Sequence, residues 1–384
     1  MDYFYRHVPE FVSVIVALVA NGQMIGWWRE RVARPRRRVV TSVGAVAVIW
    51  MIAGFTLGLP GVSDEIPGWA APEWIRGLGM AWGIVSILIW AVEWMFRLLA
   101  RVAPAMDPSR RQVLGVAKAA LVAAPLAAMG YGMFIARRNF RLREIDIPLR
   151  GLPADLDGLR LVQITDIHMS PFFSATDLEY AVAMANETRP HIALVTGDLI
   201  TMPRDPLDRC LALLGRLKSD AGTLGCLGNH EVLARCEDYA TGQGRRLGVR
   251  FLRGEAAPLR FANAVVNIAG VDYQPFRHPY LAHAGPLVRP DAVNVLLSHN
   301  PDVFPVAAAL GYDLTVAGHT HGGQVTVELL HQYANVARFF TPYVYGRYER
   351  SGKSAWVSRG LGTIGVPARV GAPPEVALIR LCAT

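Results

Sequence analysis

The stretch LVQITDIH, residues 161–168, is a short apolar run that ends in a carboxylate and an imidazole. Three further runs end in a similar way: residues 192–195 precede Asp198, residues 293–297 precede His299, and residues 314–317 precede His319. Short runs rich in apolar and β-branched residues are typical of buried strands. Because the strands of an α/β sheet collect functional groups at the edge where they end, we expect these polar side chains to converge.

The polar residues belong to five short motifs: Asp166-Ile167-His168, Gly197-Asp198, Gly228-Asn229-His230-Glu231, Ser298-His299-Asn300-Pro301 and Gly318-His319-Thr320-His321. Together they offer carboxylate or amide oxygens and imidazole nitrogens, and no thiolate. Such a set suits Mn, Fe, Zn, Ni or Co better than Ca, and it excludes an iron-sulfur cluster. The seven candidate ligands exceed the three or four of a single catalytic zinc, so the sequence predicts two divalent metal ions. Such a pair can clamp a phosphoryl group and activate water.

In this order, the five motifs resemble those of the calcineurin-like metallophosphoesterases, over about residues 159–384. Residues 297–305, 318–324 and 358–362 resemble the small, membrane-attached bacterial branch of that superfamily. This branch includes hydrolases of UDP-2,3-diacylglucosamine, a lipid A precursor. The resemblance implies an α/β fold, namely a four-layer α/β/β/α sandwich of two mixed sheets flanked by helices.

The resemblance also implies a role for each position. One metal ion would be held by Asp166, His168 and His321, the other by Asn229, His299 and His319, and Asp198 would bridge both. The predicted catalytic residues are Asp198 and His230, of which His230 would bind a phosphoryl oxygen or protonate the leaving group. Many relatives carry a further acid soon after Gly-Asp, whereas Thr201 follows here, so the sequence does not identify the group that orients His230.

The remaining histidines and the cysteines are expected to be structural. A single histidine at a strand end is commonly a hydrogen-bonded structural residue, and only five motifs in the right order outweigh that interpretation. The histidines outside the motifs are His191, His278, His283 and His331, for which surface or turn positions are predicted. The four cysteines lack CxxC spacing and are predicted to be buried thiols, with a disulfide as the alternative in an extracytoplasmic domain.

The N-terminal part predicts a membrane region. The 384 residues are 52% hydrophobic, and the excess lies before residue 144. Four stretches are long enough to span a bilayer: residues 11–28, 39–59, 75–96 and 113–135. A cleaved signal peptide fits the first stretch poorly because Asp2 and Glu10 precede it, and buried soluble helices fit the charge-free stretch 39–59 poorly. Within the spans, Glu93 is expected to pair with Arg97, and Lys118 to reach the headgroups.

Three regions are therefore predicted: a transmembrane region of about four helices at 1–136, a basic linker at 137–157, and a metallophosphoesterase domain at 158–384. Residues 1–143 hold 17 Lys or Arg against 8 acids, whereas the remainder holds 22 against 23. Since the positive charge belongs to the membrane flanks, a nucleic-acid partner is not expected. The predicted partners are membrane lipids and a phosphoester substrate, an amphiphilic one being favoured by membrane attachment. The oligomeric state is not predicted.

The arginines also predict an orientation. Six of them lie between residues 29 and 38, and four more lie at 97, 101, 110 and 111, which marks the loops after the first and third spans as cytoplasmic. The loop 60–74 has three acids and no Lys or Arg, so it is expected outside. This orientation predicts a multi-pass protein of the inner (plasma) membrane with an extracytoplasmic catalytic domain. Relatives that handle lipid A precursors would require the opposite side.

The sequence thus predicts a membrane-bound, dinuclear metal-dependent phosphoesterase that hydrolyses a phosphoester or pyrophosphate bond, with a lipid-linked substrate favoured. The alternatives are a phosphodiesterase for nucleotides or glycerophosphodiesters, and a non-catalytic membrane sensor that keeps the fold. Two segments are a candidate wall of the substrate site, residues 322–324, Gly-Gly-Gln, and residues 339–343, Phe-Phe-Thr-Pro-Tyr, with ordinary core and loop packing as the alternative.

Overall fold

The computed structural model describes residues 2–57, 73–102, 107–275, 279–326 and 335–384. The chain divides into two compact units, one of residues 1–135 with 365–368 and one of residues 136–364 with 369–384. The predicted outer loop at 60–74 lies almost wholly outside the described residues.

The described residues of the first unit form four long helices: α1 (Asp2–Arg31), α2 (Arg36–Thr56), α3 (Glu73–Val102) and α4 (Pro108–Phe134). By length and composition each contains a candidate membrane span, at Phe11–Arg31, Arg36–Thr56, Glu73–Arg101 and Ser109–Arg138. The prediction of four apolar helices is confirmed. The boundaries differ by a few residues because charged and aromatic residues at the ends continue the same helices.

Buried polar groups connect these helices. The Asn21 amide on α1 donates to the carbonyl of Ala17 at 2.8 Å and to the Ser86 hydroxyl on α3 at 2.9 Å. Its carbonyl oxygen accepts from the indole N–H of Trp82 at 3.1 Å. An unpaired polar group is energetically costly in an apolar environment. This network therefore favours one alignment of α1 along α3.

The carboxylate of Glu93 on α3 is buried and pairs with two neighbouring helices. It accepts two hydrogen bonds from Arg31 at 3.1 and 3.2 Å and one from Lys118 at 2.8 Å. The expected pair with Arg97 is therefore wrong: the Arg97 guanidinium lies over the ring of Trp27, 4.1 Å from its centroid. Lys118 is likewise held inside the bundle, because a buried carboxylate requires charged partners.

The second unit holds twelve strands among the described residues: β1 (Arg141–Leu149), β2 (Arg160–Ile164), β3 (Ile192–Thr196), β4 (Thr223–Cys226), β5 (Val249–Phe251), β6 (Glu255–Phe261), β7 (Ala264–Gly270), β8 (Val293–Leu297), β9 (Leu314–Ala317), β10 (Gly346–Arg350), β11 (Lys353–Val357) and β12 (Glu375–Ala383). Its helices are α5 (Ala175–Glu187), α6 (Leu207–Leu214), α7 (Asn229–Ala234), α8 (Glu237–Arg246) and α9 (Phe304–Leu310).

The strands form two six-stranded mixed sheets. The first has the order β1-β12-β2-β3-β4-β5, and only the β12–β2 pair is antiparallel. The second has the order β10-β11-β9-β8-β7-β6, with antiparallel pairs at its two ends. In both sheets the central strands are parallel, so their carboxyl ends lie along one edge.

The two sheets pack face to face, with helices on their outer faces. Leu161 and Leu194 of the first sheet meet Val266 and Val295 of the second in one buried core. Alternate residues of the first sheet, such as Val162, face a second core built with α5, α6 and α8. The outer face of the second sheet packs against α9. The four-layer α/β/β/α prediction is confirmed, and burial on both faces explains why the strands are almost wholly apolar.

The predicted basic linker at 137–157 differs from the structure, because it contains β1. This strand pairs in parallel with β12 from Arg141↔Glu375 to Leu149↔Ala383. Ile147 and Leu149 are buried in the core between the sheets. As an edge strand, β1 keeps one polar face, and its arginines give it the composition of a linker.

Candidate metal centre

The motifs lie where the central strands end, and their backbone is unusual there. Positive φ angles occur at five of the predicted ligands: Asp166 (51°), His168 (47°), Asp198 (54°), His319 (76°) and His321 (51°). Non-glycine residues seldom adopt this left-handed conformation, which costs about 1–3 kcal/mol per residue. Strain of this kind collects at functional sites, where the surrounding structure must hold it.

One group of ligand atoms is formed by Asp166, His168, Asp198 and His321, all of them buried and within 4.8 Å of one another. The Nε2 atoms of His168 and His321 are 3.1 Å apart. The Oδ1 atom of Asp166 lies 3.5 Å from His321 Nε2, and Oδ2 of Asp198 lies 3.4 Å from His168 Nε2. The loops that follow β2 and β3 therefore lie next to the turn that follows β9.

A second group consists of Asp198, His299 and His319. His299 Nε2 lies 3.0 Å from Asp198 Oδ2 and 3.2 Å from His319 Nδ1. The other ring nitrogen of His299 donates to the carbonyl of Thr196 at 2.7 Å, which directs Nε2 toward the group. Asp198 is common to both groups.

Asn229 begins α7 beside this second group. The next residue, His230, donates its backbone N–H to Asp198 Oδ1 at 3.0 Å, which ties the start of α7 to the shared carboxylate. The Oδ1 atom of Asn229 is buried and makes no hydrogen bond among the described residues. A buried acceptor without a partner is costly unless something else supplies one.

These features fit a pair of divalent cations. Ligand atoms about 2.1 Å from a common ion lie about 3 Å from each other, which is the spacing of the two His-His nitrogen pairs. An oxygen ligand role would satisfy the Asn229 Oδ1 atom. A Cβ at Gly228 would collide with Asp198 Oδ1, and one at Gly318 would collide with Asp166 Oδ2, so both glycines leave room for the carboxylates. The buried cluster and its mixed oxygen and nitrogen donors suit divalent metal ions.

Burial and the charges of neighbouring side chains set the protonation states of the candidate ligands. It raises the pKa of the Asp166 carboxyl to about 6 and lowers the pKa of His168 to about 4. Burial, with the positive charge of His299, lowers the pKa of His319 to about 3. At His299 burial acts in the same direction, but the negative charge of Asp198 prevails and raises its pKa to about 10. His168 and His319 are therefore neutral at pH 7, as metal binding requires.

His230 is oriented by a backbone group. Its Nδ1–H donates to the Thr201 carbonyl at 2.7 Å. Asp205 Oδ2 in turn accepts the amides of Thr201 and Met202 at 2.9 and 2.7 Å, which fixes this turn. The Thr201 carbonyl is therefore the group that orients His230, in place of the further acid that many relatives carry after Gly-Asp. Aspartates in short loops commonly accept hydrogen bonds from nearby backbone amides. The presence of such an aspartate after the Gly-Asp motif is the sequence signal that could have indicated Asp205.

Glu231 has a role that its motif did not reveal. Its buried carboxylate accepts the backbone N–H groups of Asp198 at 3.0 Å, Leu199 at 2.7 Å and Gly228 at 2.7 Å. Burial, and then the nearby charge of Asp198, raises the pKa of this carboxyl. The side chain joins the loops after β3 and β4, and so holds Asp198 relative to α7.

Arg369 is a fully buried arginine that no motif indicated. Its guanidinium donates to the carbonyls of Arg359 at 2.9 Å, Gly362 at 2.6 Å and Ala372 at 3.1 Å, and one nitrogen lies 3.4 Å from His321 Nδ1. Burial lowers its pKa to about 10, so it stays charged at neutral pH. The residue supports both His321 and the segment 359–362. That segment also contacts the loop that follows β2, because the N–H of Gly362 donates to the Asp166 carbonyl at 2.6 Å.

The histidines outside the motifs that the structure describes, His191 and His283, belong to neither group of candidate ligands. His191 Nδ1 accepts the backbone N–H of Arg160 at 2.9 Å, and His283 is exposed, as expected for structural or surface histidines. His278 and His331 lie outside the described residues. All four cysteines are free thiols, but only Cys210 and Cys226 are buried.

The aromatic segment 339–343 has two parts. The side chain of Phe339 is 88% exposed and that of Phe340 is also exposed. Tyr343 packs edge-on against Phe304 with ring centroids 5.7 Å apart, and the Thr341 hydroxyl donates to the Asp302 carboxylate. Only the two phenylalanines therefore offer open apolar surface, and their place in a substrate wall stays a prediction.

Comparison with known proteins agrees with this geometry. A family model described as Calcineurin-like phosphoesterase matches residues 159–323, which include all seven predicted ligands. The chain carries a calcineurin-like metallophosphoesterase domain. An uncharacterized metallophosphoesterase, YkuE of Bacillus subtilis, is 28% identical over 291 residues, covering 72% of this chain and 98% of the relative. A Bos taurus protein named transmembrane protein with metallophosphoesterase domain is 28% identical over 311 residues, covering 76% of this chain and 68% of the relative.

Among solved structures, the NAD nucleotidase NadN of Haemophilus influenzae aligns with 53% of this chain and 45% of its own, with 13% identity and a TM-score of 0.38.

The predicted family and enzyme class are confirmed by the family model and the sequence relatives: the metallophosphoesterase domain is that of a metal-dependent phosphoester hydrolase. Together with the four candidate spans, the relative named as a transmembrane protein indicates a membrane protein.

Proposed function

We propose that this metallophosphoesterase is a membrane-bound dinuclear enzyme that hydrolyses a phosphoester or pyrophosphate bond of an amphiphilic substrate. The observation that carries the proposal is the position of Asp198. Its carboxylate lies in both groups of candidate ligands, and its Oδ1 atom accepts the backbone N–H of the candidate catalytic histidine, His230, at 3.0 Å.

The ligand assignment follows the two groups. Asp166, His168 and His321 would hold one ion, Asn229, His299 and His319 the other, and Asp198 would bind both. Mn, Fe, Zn, Ni and Co all accept this mixture of donors. When bound, two such cations supply Lewis acidity toward phosphoryl oxygens and lower the pKa of water.

His230 is proposed to act on the substrate. Because Nδ1 is committed to the Thr201 carbonyl, Nε2 is the ring nitrogen left to contact a phosphoryl oxygen or to pass a proton to the leaving oxygen. Its ring centroid lies 4.6 Å from that of His168, beside the ligand cluster. The hydrogen bond to Asp198 holds its backbone at a fixed distance from the proposed bridging carboxylate.

Membrane attachment supports the choice of an amphiphilic substrate. A lipid-linked phosphoester partitions into the bilayer, and an enzyme attached there meets it at high local concentration. We assign residues 1–136 to the membrane region and place the phosphoesterase domain from β1 onward, in an inner (plasma) membrane. The arginine-rich loops favour an extracytoplasmic domain. The complete ligand set argues against a non-catalytic sensor.

A substrate screen tests the proposal. Full-length protein loaded with Mn is assayed against lipid-linked pyrophosphates, lipid phosphomonoesters, nucleotides, glycerophosphodiesters and bis-p-nitrophenyl phosphate, with His230→Ala as the inactive control. We expect kcat/KM to be at least about tenfold higher for a lipid-linked ester than for its water-soluble analogue. A preference for nucleotides or glycerophosphodiesters would contradict the amphiphilic substrate. A folded protein that holds two metal ions and hydrolyses none of the esters would contradict the enzymatic function.

A further inference from the structure

The four helices of the first unit, which we call the membrane unit, form an open groove of about 630 Å³. One wall is a face of α2 that includes Val40, Val43, Ala47 and Trp50, and the opposite wall is the part of α4 around Gly130. Residues of α1 and α3 form the floor. The volume falls within the range of ligand pockets, roughly 300–1,000 Å³.

The arrangement of the helices explains the groove. The central helix α3 packs along α1, α2 and α4, and α1 also packs along α2. Among the described residues, α2 and α4 make no extended contact with each other. Each therefore rests on α3 and leaves an opening between the two, which faces whatever surrounds the helices.

The lining decides what fills this opening. It is almost wholly apolar, and the helices that form it are long and apolar enough to cross a membrane. Protein interiors are close-packed, and an apolar void loses dispersion contacts on one side. In a bilayer the surrounding molecules are hydrocarbon chains, so the groove offers an acyl chain a place to restore those contacts.

The face of α2 that lines the groove continues to a cationic residue at the start of the helix. Arg36, Val40, Val43, Ala47 and Trp50 follow each other at spacings of four and three residues, so they share one face of α2. Arg36 is exposed at the first residue of the helix, and Arg37 and Arg38 are exposed beside it. At about 1.5 Å per residue, the apolar face from Val40 to Trp50 extends about 15 Å from this charge. A negatively charged headgroup at Arg36 would direct its chain along that face.

We propose that this groove is a binding site for one acyl chain of an anionic phospholipid, whose phosphate group lies at Arg36. The groove is built by residues of the first unit alone and includes none of the candidate metal ligands, and its occupancy does not depend on hydrolysis. A zwitterionic lipid would fill the same groove with its chain but would lose part of the attraction to Arg36.

A pair of glycines on α4 provides a matched test. A Cβ at Gly130 or at Gly115 would meet no atom within 4 Å, so either position accepts a side chain without a clash at its Cβ, but only Gly130 lines the groove. Full-length protein is equilibrated with equal amounts of phosphatidylglycerol and phosphatidylcholine, and retained lipid is measured by native mass spectrometry. We expect one retained phosphatidylglycerol per chain, a loss of about tenfold in Gly130→Leu, and no loss in Gly115→Leu.

Two further variants test the opposite wall and the charge. Ala47→Phe fills the groove from α2, whereas Val46→Phe changes an exposed neighbouring residue, so only the first should lose lipid even if Gly130→Leu unfolds. Arg36→Gln should abolish the preference for phosphatidylglycerol over phosphatidylcholine, while Arg110→Gln on α4 keeps it. Equal lipid retention in Ala47→Phe and Val46→Phe would overturn the site, and an unchanged preference in Arg36→Gln would overturn the headgroup position. Hydrolytic activity is not measured, so these results stand apart from the proposed function.

Discussion

The Nδ1–H group of His230 donates to the backbone carbonyl of Thr201 across 2.7 Å. A carbonyl oxygen can only accept, so Nδ1 carries the proton and the ring orientation is set by main-chain geometry. That geometry depends on Asp205, whose carboxylate caps the two amides of the turn. Asp205 is therefore a positioning residue for His230, although it does not contact the ring.

The first prediction concerns this turn. Asp205→Ala removes the acceptor for the Thr201 and Met202 amides, so the carbonyl that orients His230 should shift. We expect kcat to fall about 10–100-fold while the metal content and KM stay near their wild-type values. Asp205→Asn keeps an oxygen acceptor and should restore most of the activity. Wild-type kcat in Asp205→Ala would contradict the positioning role.

The second prediction concerns Arg369. Arg369→Met leaves several buried carbonyls without their donor, so the free energy of unfolding should fall by about 2–4 kcal/mol. Because the guanidinium also lies beside His321, the variant should bind metal more weakly in a chelator competition. Arg369→Lys keeps a charge but lacks the planar fork, and should rescue only part of the loss.

The matched control for Arg369 is Arg380→Met. Arg380 pairs with Asp146 at the surface, where ion pairs contribute little, so its loss should leave unfolding and metal affinity nearly unchanged. Equal effects of the two substitutions would show that Arg369 has no special role.

Several features could be predicted from the sequence because they are local. Apolar runs such as residues 192–195 indicate strands by themselves, and a polar residue at the end of each run indicates the shared edge. Arg369 could not be predicted, since its partners are carbonyls from three separate positions and its own surroundings contain no motif. The strand β1 was missed because its first four residues are all exposed and include Arg141 and Arg143, which give this half the composition of a linker. The pairing of Glu93 depends on how three helices pack, which spacing within α3 does not contain.

The third prediction concerns β1. A chain that starts at Ala136 keeps this strand, whereas one that starts at Gly151 removes Ile147 and Leu149 from the core and uncovers the edge of β12. Each of these side chains contributes about 1.5–3 kcal/mol through burial. The longer chain should be soluble, bind metal and hydrolyse small chromogenic esters, and the shorter one should aggregate.

Solubility, thermal unfolding and elemental analysis distinguish the two chains. If both are soluble and bind metal alike, β1 is dispensable. If the chain that starts at Ala136 is insoluble, the membrane unit is required for folding.

The fourth prediction concerns orientation. The arginines at 29–38 and 97–111 should keep their loops in the cytoplasm, which directs the C-terminus outward. A C-terminal alkaline phosphatase fusion should then be active, and a C-terminal GFP fusion should be dark. A fluorescent GFP fusion beside an inactive phosphatase fusion would place the catalytic domain in the cytoplasm.

The most direct test of the two-metal account is elemental analysis of the full-length protein together with its rate of ester hydrolysis. Wild-type protein should hold two divalent ions per chain. Asp198→Asn should hold fewer than two and lose at least about a thousandfold in kcat, because a neutral amide replaces the carboxylate shared by both ligand groups. His230→Ala should keep both ions and lose turnover. An Asp198→Asn variant that retains two ions and hydrolyses at the wild-type rate would contradict the assignment.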